Sequence, residues 1–203
     1  MTPIQKKNKK DLIKQLLEKN FDESIVVKKK FLSEKKNILN LNLICNQLIK
    51  HLNLGGKIYF AGNGGSASDS LHLSTELVSR LEKKRKAIAS ENLVSNVSLL
   101  TAISNDYSYD KIFSRQIEAN LNHKDIFFAI TTSGNSRNIL NALRKCKEKK
   151  IKSILLTGLD GGKAKKIANY TICVPSKRTQ TIQESHILIG HCICEILENS
   201  VLK

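Results

Sequence analysis

Residues 58–66 read IYFAGNGGS and residues 126–136 read IFFAITTSGNS. Each is a short apolar run that ends in a loop of small polar residues and glycine, and an amphipathic stretch follows. An apolar run of this length without polar alternation is a strand buried on both faces. Similar runs lie at Ala87–Ala89, Ser153–Thr157 and Thr171–Val174, with helical patterns beginning near Ser66, Val94, Asn135, Gly162 and Thr181. Buried strands alternating with helices predict a parallel sheet covered on both sides. The expectation is an α/β fold: a three-layer α/β/α sandwich on a five-stranded parallel sheet.

Upstream of that unit, Asp11 to Leu54 reads as helix. One apolar stripe runs through Leu12, Ile13, Leu16 and Leu17, a second through Ile38, Leu41, Cys45, Leu48 and Leu52, and Gly55-Gly56 supplies a C-terminal stop. This predicts an N-terminal helical hairpin. It serves equally as a subunit contact or as a cap on its own sheet. The only prolines are Pro3 and Pro175, and no low-complexity linker or repeat interrupts the chain. At 203 residues it is expected to form one domain over 1–203, with helices in 1–56 and the sandwich in 57–203.

Composition narrows the function classes. The chain is 40% hydrophobic and 26% charged, as in globular proteins generally. No window reaches the roughly 18 apolar residues of a membrane span. Lys6, Lys7, Lys9 and Lys10 are not followed by an apolar segment, so a secretory signal is not expected and the protein is expected in the cytoplasm. The five cysteines (Cys45, Cys146, Cys173, Cys192, Cys194) show no paired spacing and read as reduced, packed thiols, with Cys192 and Cys194 on different sides of their helix. The net charge is +16, yet 28 of the 34 basic residues are Lys and no basic–aromatic alternation offers a stacking surface for bases. Runs such as 83–86 and 147–150 read as solvated faces. Nucleic acid is not the expected ligand, and an anionic small molecule suits the charge.

In a parallel sheet, ligands bind beyond the C-terminal strand ends, where helix N-termini present N–H groups to anions. The two quoted loops lie there. Their glycines permit close backbone approach, and Thr131, Thr132, Ser133 and Ser136 supply hydroxyl donors for a phosphate. Gly62-x-Gly64-x-x-Ala67 also matches a dinucleotide fingerprint, but the acid expected about 20 residues on, at the end of the second strand, has only Glu91 as a late candidate, and the second loop stays unexplained. His72 and Glu76, four apart on the helix after the first loop, share a face. Gln183, Glu184, His186 and His191 fall on one C-terminal helix. Glu184 and His191, seven apart, are nearly eclipsed, whereas Gln183 and His191 diverge by ~80° at ~3.6 residues per turn. Periodicity leaves both Gln183 and Glu184 open as the site residue.

Taken together, AGNGGS at 61–66, His72-x-x-x-Glu76-x-x-x-Arg80, Asn105-Asp106, TSGNS at 132–136, LTG-x-DGG at 156–162 and IQE-x-His186 ending in His191 resemble the phosphoheptose isomerases of the sugar-isomerase (SIS) fold. These strings run in order from residue 57 to about 198. The resemblance implies an aldose–ketose isomerase acting on sedoheptulose 7-phosphate in bacterial heptose biosynthesis, for lipopolysaccharide or capsule. It implies zinc held by His72, Glu76, Gln183 and His191, with Glu76 as base and His191 as acid. Substrate contacts implied are Asn63, Gly64, Gly65, Ser66, Glu76, Arg80, Asn105, Asp106, Thr131, Thr132, Ser133, Ser136 and Gln183. It also implies a homotetramer with sites between subunits. The chemistry agrees: a carboxylate can carry a proton between neighbouring carbons while an imidazole serves the oxygens. Stretches 87–98 and 176–180 are less distinctive. The same fold also hosts isomerases of other sugar phosphates and a non-catalytic relative that binds the replication initiator. Having both Glu76 and His191 favours the enzyme.

Overall fold

The computed structural model describes the backbone of residues 3–201 and the side chains of residues 11–200. The side chains of Lys6, Lys7, Lys9 and Lys10 lie outside that range. Two long helices come first, α1 (Pro3–Ser33) and α2 (Lys35–Asn53). The sandwich follows as β1 (Ile58–Ala61), α3 (Gly65–Val78), β2 (Ser90–Asn92), α4 (Val97–Asp106), α5 (Ile112–Asn120) and β3 (Ile126–Thr131). It continues with α6 (Arg137–Glu148), β4 (Lys152–Thr157), β5 (Tyr170–Cys173) and α7 (Thr179–Val201). The five strands pair in parallel, in the order β2-β1-β3-β4-β5. The connections reverse direction between β1 and β3, which opens a crevice at those two strand ends. The loops singled out in the sequence are the ones that flank it.

Successive strand residues serve opposite cores, because side chains alternate across a sheet. Ile58, Phe60, Ile126, Phe128, Ile130, Ile154 and Leu156 join residues of α1, α2, α3 and α7. Tyr59, Ala61, Phe127, Ala129 and Leu155 join α4, α5 and α6 through Ile103, Phe113, Ile117 and Leu143. Phe60 and Phe128, in register on β1 and β3, set their rings 5.1 Å apart in a tilted contact. Among the described residues no helix is long and apolar enough to cross a membrane.

Some local expectations shift. The second strand lies at Ser90–Asn92, three residues after the predicted Ala87–Ala89. It is a polar edge strand paired on one side only, so it carries no apolar run to betray it; Ala89 merely accepts a hydrogen bond from the Ile58 amide at 3.1 Å. The helix expected from Gly162 is one 3-10 turn, Ala164–Lys166, because Gly161 and Gly162 at φ 76° and 54° hold the chain in left-handed turns. The helix expected at Val94 starts at Val97, where the Asn96 side chain accepts the Leu99 N–H at 2.9 Å. Helix α5 escaped the reading altogether. Cys192 is exposed and departs from the packed-thiol expectation, while Cys45, Cys146 and Cys194 are buried.

Arg85, in a run read as solvated, has a buried side chain 1% exposed, as is its partner Glu198 on α7. Arg85 Nε donates to Glu198 at 3.0 Å, and its other nitrogens donate to the carbonyls of Glu76 and Leu77 at 2.8 and 2.9 Å. It thereby satisfies carbonyls at the C-terminus of α3. Glu198 also accepts the amides of Leu81, Glu82 and Lys83. Burial raises the Glu198 carboxyl, but these three amides and Arg85 outweigh it and hold it below the usual range. Arg85→Ala should cost about 3–5 kcal/mol in urea unfolding, because it strands a buried carboxylate.

His186 on α7 is fully buried with neither ring nitrogen bonded, facing Thr157, whose hydroxyl is also unpaired. Burial lowers its pKa from 6.5 to about 4, with the Thr157 backbone pulling weakly the other way. The ring is neutral in the fold while the unfolded chain protonates below its ordinary value. Its contribution is therefore complete above pH 6.5 and is lost as pH falls toward about 4. His186→Gln should flatten the loss of unfolding free energy across that window relative to the wild type.

Candidate active site

Gly65, Asp69, His72 and Glu76 stand at i, i+4, i+7 and i+11 on α3, a single stripe that faces α7. The two helices approach closely because glycine stands at both contacts. A Cβ at Gly65 would collide with the amide of Gln183, and one at Gly190 would collide with Leu73. Across this contact His72 Nε2 lies 2.8 Å from His191 Nε2, with the rings edge to face at 5.0 Å between centroids. His72 Nε2 also lies 3.3 Å from Glu76 Oε1. One donor atom from each of His72, Glu76 and His191 falls within 4.8 Å of the others.

Packing separates the two residues that helical periodicity leaves open. Gln183 faces Gly65 and lies beside Asp69, whereas Glu184 points to α1 and accepts from Ser24 and Lys28. The Lys28 ammonium and Ser24 hydroxyl hold the Glu184 carboxyl below its ordinary range. The face of α7 turned to α3 is broad enough to include residues ~80° apart.

Asp69 stands beside this group on the same stripe of α3 and was missed in the sequence. It is 7% exposed, and its Oδ2 has no partner. Burial pushes its carboxyl up, while the Gln183 amide and the two imidazoles pull it back. The signal was available in its place three residues before His72, on the same stripe. Two imidazole nitrogens and the Glu76 carboxylate within reach of one ion form a donor set that fits a divalent cation, with the Gln183 amide and the unpartnered Asp69 oxygen beside it.

The second loop lies across the crevice. Ser136 precedes α6 but makes no capping bond; its hydroxyl faces that of Thr131 at 3.2 Å. Behind the loop, Gly158 N–H donates to the Thr132 carbonyl at 3.1 Å, Ala164 N–H to Gly134 at 2.9 Å, and Lys163 N–H to the Asn135 side chain at 3.1 Å. Gly134, at φ 63°, packs so closely on Gly161 that a Cβ would overlap its carbonyl. The loop after β4 thus serves as a backing for the Thr131–Ser136 cradle.

The SIS domain family matches residues 21–158 of the chain. A curated "Phosphoheptose isomerase 2" of Campylobacter jejuni is 46% identical over 182 residues, 90% of this chain and 90% of that protein. The phosphoheptose isomerase of Aneurinibacillus thermoaerophilus is 44% identical over 187 residues, 92% and 94% of the two chains. The solved phosphoheptose isomerase of Neisseria gonorrhoeae superposes with a TM-score of 0.86 at 34% identity, covering 92% of this chain and 99% of that one. The chain belongs to the SIS domain family. Within it, the chain is a sugar-phosphate isomerase of the phosphoheptose isomerase group.

Of the remaining residues expected in the site, all but Arg80 lie on the elements that flank the crevice. Asn63 follows β1, Gly64 at φ 55° caps α3, and Ser66 is buried in its first turn. Thr131 is buried at the end of β3, and Thr132 and Ser133 follow it. Asn105 and Asp106 close α4, exposed, with the Asn105 amide donating to Asp106 at 2.9 Å. Arg80 lies just past α3, exposed, and no contact ties it to the cluster.

Gly65 offers a clean separation of fold from site. Its backbone is helical, so alanine suits the local conformation and gains about 0.5–1 kcal/mol of helix propensity to set against the clash. Its Cβ would instead displace the Gln183 amide. Gly65→Ala should leave the melting temperature within a few degrees of the wild type while lowering divalent-metal affinity, read by competition with a chromophoric chelator, and turnover by at least about tenfold.

Proposed function

We propose that the chain interconverts sedoheptulose 7-phosphate and D-glycero-D-manno-heptose 7-phosphate through an enediol(ate), in the cytoplasm, for bacterial lipopolysaccharide or capsule heptose. The convergence of His72, Glu76 and His191 beside two glycine-rich strand-end loops carries the reading. It is supported by the names of the similar proteins.

In this scheme Thr131, Thr132, Ser133 and Ser136 bind the phosphate, and Asn63, Gly64, Gly65, Ser66, Arg80, Asn105 and Asp106 contact the rest of the substrate. Glu76 takes a proton from C1 of the ketose and returns it to C2. His191 gives a proton to the C2 oxygen as the enediolate forms, and the C1 hydroxyl proton leaves to the imidazole as the aldehyde forms. A general acid–base pair of this kind contributes about 10²–10⁴-fold each. His72, Glu76, Gln183 and His191 would hold zinc, which when bound polarises the substrate oxygens and stabilises negative charge on them. Gln183 also presents a neutral amide to the substrate.

The same reading includes a homotetramer with sites at subunit interfaces. Its support is the outer face of α1, where Leu12, Ile13, Leu16, Leu17 and Phe21 are each at least half exposed. No role for nucleic acid or membrane is assigned.

Incubation with sedoheptulose 7-phosphate, with and without chelator and followed by NMR, tests the assignment. An aldoheptose 7-phosphate should appear. Glu76→Gln and His191→Asn should each reduce its rate by about 10²–10⁴-fold while far-ultraviolet circular dichroism stays unchanged. Failure of folded, zinc-loaded protein to turn over this substrate would rule the assignment out in favour of another sugar phosphate.

A further inference from the structure

A ladder of hydrogen bonds leads from the backbone of α6 to the loop after β1. The Ile139 N–H donates to Asn138 Oδ1 at 2.9 Å. Only an oxygen can face that N–H, so the Asn138 amide has one orientation. Asn138 and Asn63 then bond reciprocally. Asn63 Nδ2 donates to Asn138 Oδ1 at 2.9 Å, and Asn138 Nδ2 donates to Asn63 Oδ1 at 2.7 Å. The Tyr109 hydroxyl adds a second donor to Asn63 Oδ1 at 2.8 Å. Asn138 is 2% exposed, so an unmade bond there would be costly.

The bookkeeping on Asn63 is restrictive. Its oxygen has two lone pairs, and both are engaged. Its nitrogen has two hydrogens, and one is engaged. What remains at the mouth of the crevice is one N–H donor and no acceptor. We propose that Asn138 and Tyr109 are positioning residues which fix Asn63 as an obligate donor to an acceptor oxygen of the sugar phosphate. Free in solution, an asparagine amide presents either end. Here the backbone of α6 dictates which end the substrate meets. Tyr109, three residues beyond Asp106, also ties the segment that carries Asn105 and Asp106 to the β1 loop. This rests on the proposed reading of Asn63 as a substrate contact.

The test compares Asn63→Ala, Asn138→Ala, Tyr109→Phe and the Asn63→Ala/Asn138→Ala double variant in the full chain. Readouts are Kd for sedoheptulose 7-phosphate by titration calorimetry, KM and kcat separately, and melting temperature. Asn63→Ala and Asn138→Ala should each raise Kd and KM about tenfold, with kcat changed less than about threefold. Tyr109→Phe, a change at an exposed ring, should raise them a few-fold in the same direction with an unchanged melting temperature. The double variant should be no worse than Asn63→Ala, because Asn138 acts through Asn63. A purely structural Asn138 would lower the melting temperature and leave Kd and KM alone, and that result overturns the inference. So does an Asn63→Ala variant with wild-type Kd, which also removes Asn63 from the proposed substrate contacts. A wild type that binds but does not turn over defeats the proposed reaction, while the Kd series still decides this inference. Should Asn138→Ala fail to fold, unchanged Kd in Tyr109→Phe overturns the role of Tyr109.

Discussion

The close packing of α3 on α7 is the contact on which the site depends. Helix axes approach this near only where side chains are missing, and here Gly65 and Gly190 leave the space that Gln183 and Leu73 fill. A glycine within a helix such as Gly190 sacrifices about 1 kcal/mol of helix stability relative to alanine. The return is that a stripe on α3 and a stripe on α7 face each other at hydrogen-bond range. His72, Glu76 and His191 are brought together by that geometry and not by proximity in sequence. Arg85 and Glu198 lock the far end of the same pair, since Arg85 holds the carbonyls of Glu76 and Leu77 while Glu198 belongs to α7.

The other wall of the crevice depends on backbone more than on side chains. The Thr131–Ser136 loop is supported by amides of the β4 loop, at distances that glycine alone allows at positions 134, 161 and 162. Leaving Ser136 out of the helix cap frees its hydroxyl to face Thr131. Hydroxyls and helix N–H groups bind phosphate without adding a net charge that would need a counterion. The Asn138–Asn63 pair then joins this wall to the first loop, so both strand ends share one hydrogen-bonded frame.

Much of this was legible along the chain. The central strands declare themselves because burial on both faces demands uninterrupted apolar runs, and β1 and β3 fall where the runs at 58–61 and 126–131 place them. The two strand-end loops were visible for the same reason, as the small polar residues that directly follow such runs. Less legible was β2, whose edge position asks for no apolar residues. Arg85 looked like one more member of a basic run, and only burial distinguishes it. Asp69 sits on the same stripe as His72, yet a lone carboxylate in a helix has no signature of its own until its unpaired oxygen is seen to be buried.

Legible in the amino-acid string were the parallel sandwich, its central strands, the two strand-end loops and the pairing of His72 with Glu76. All of these rest on local periodicity or on nearest-neighbour spacing, which a linear string records. Tertiary structure turned Gln183 toward α3 and Glu184 toward α1, a choice that periodicity left open and that only the family resemblance had indicated, set Asp69 beside Gln183, and oriented Asn63 through Asn138. Those outcomes depend on which face of α7 meets α3 and on which amide end meets a backbone N–H 76 positions from Asn63 in the chain. Such choices are made by packing and hydrogen-bond satisfaction across the fold, and no periodicity along one helix contains them.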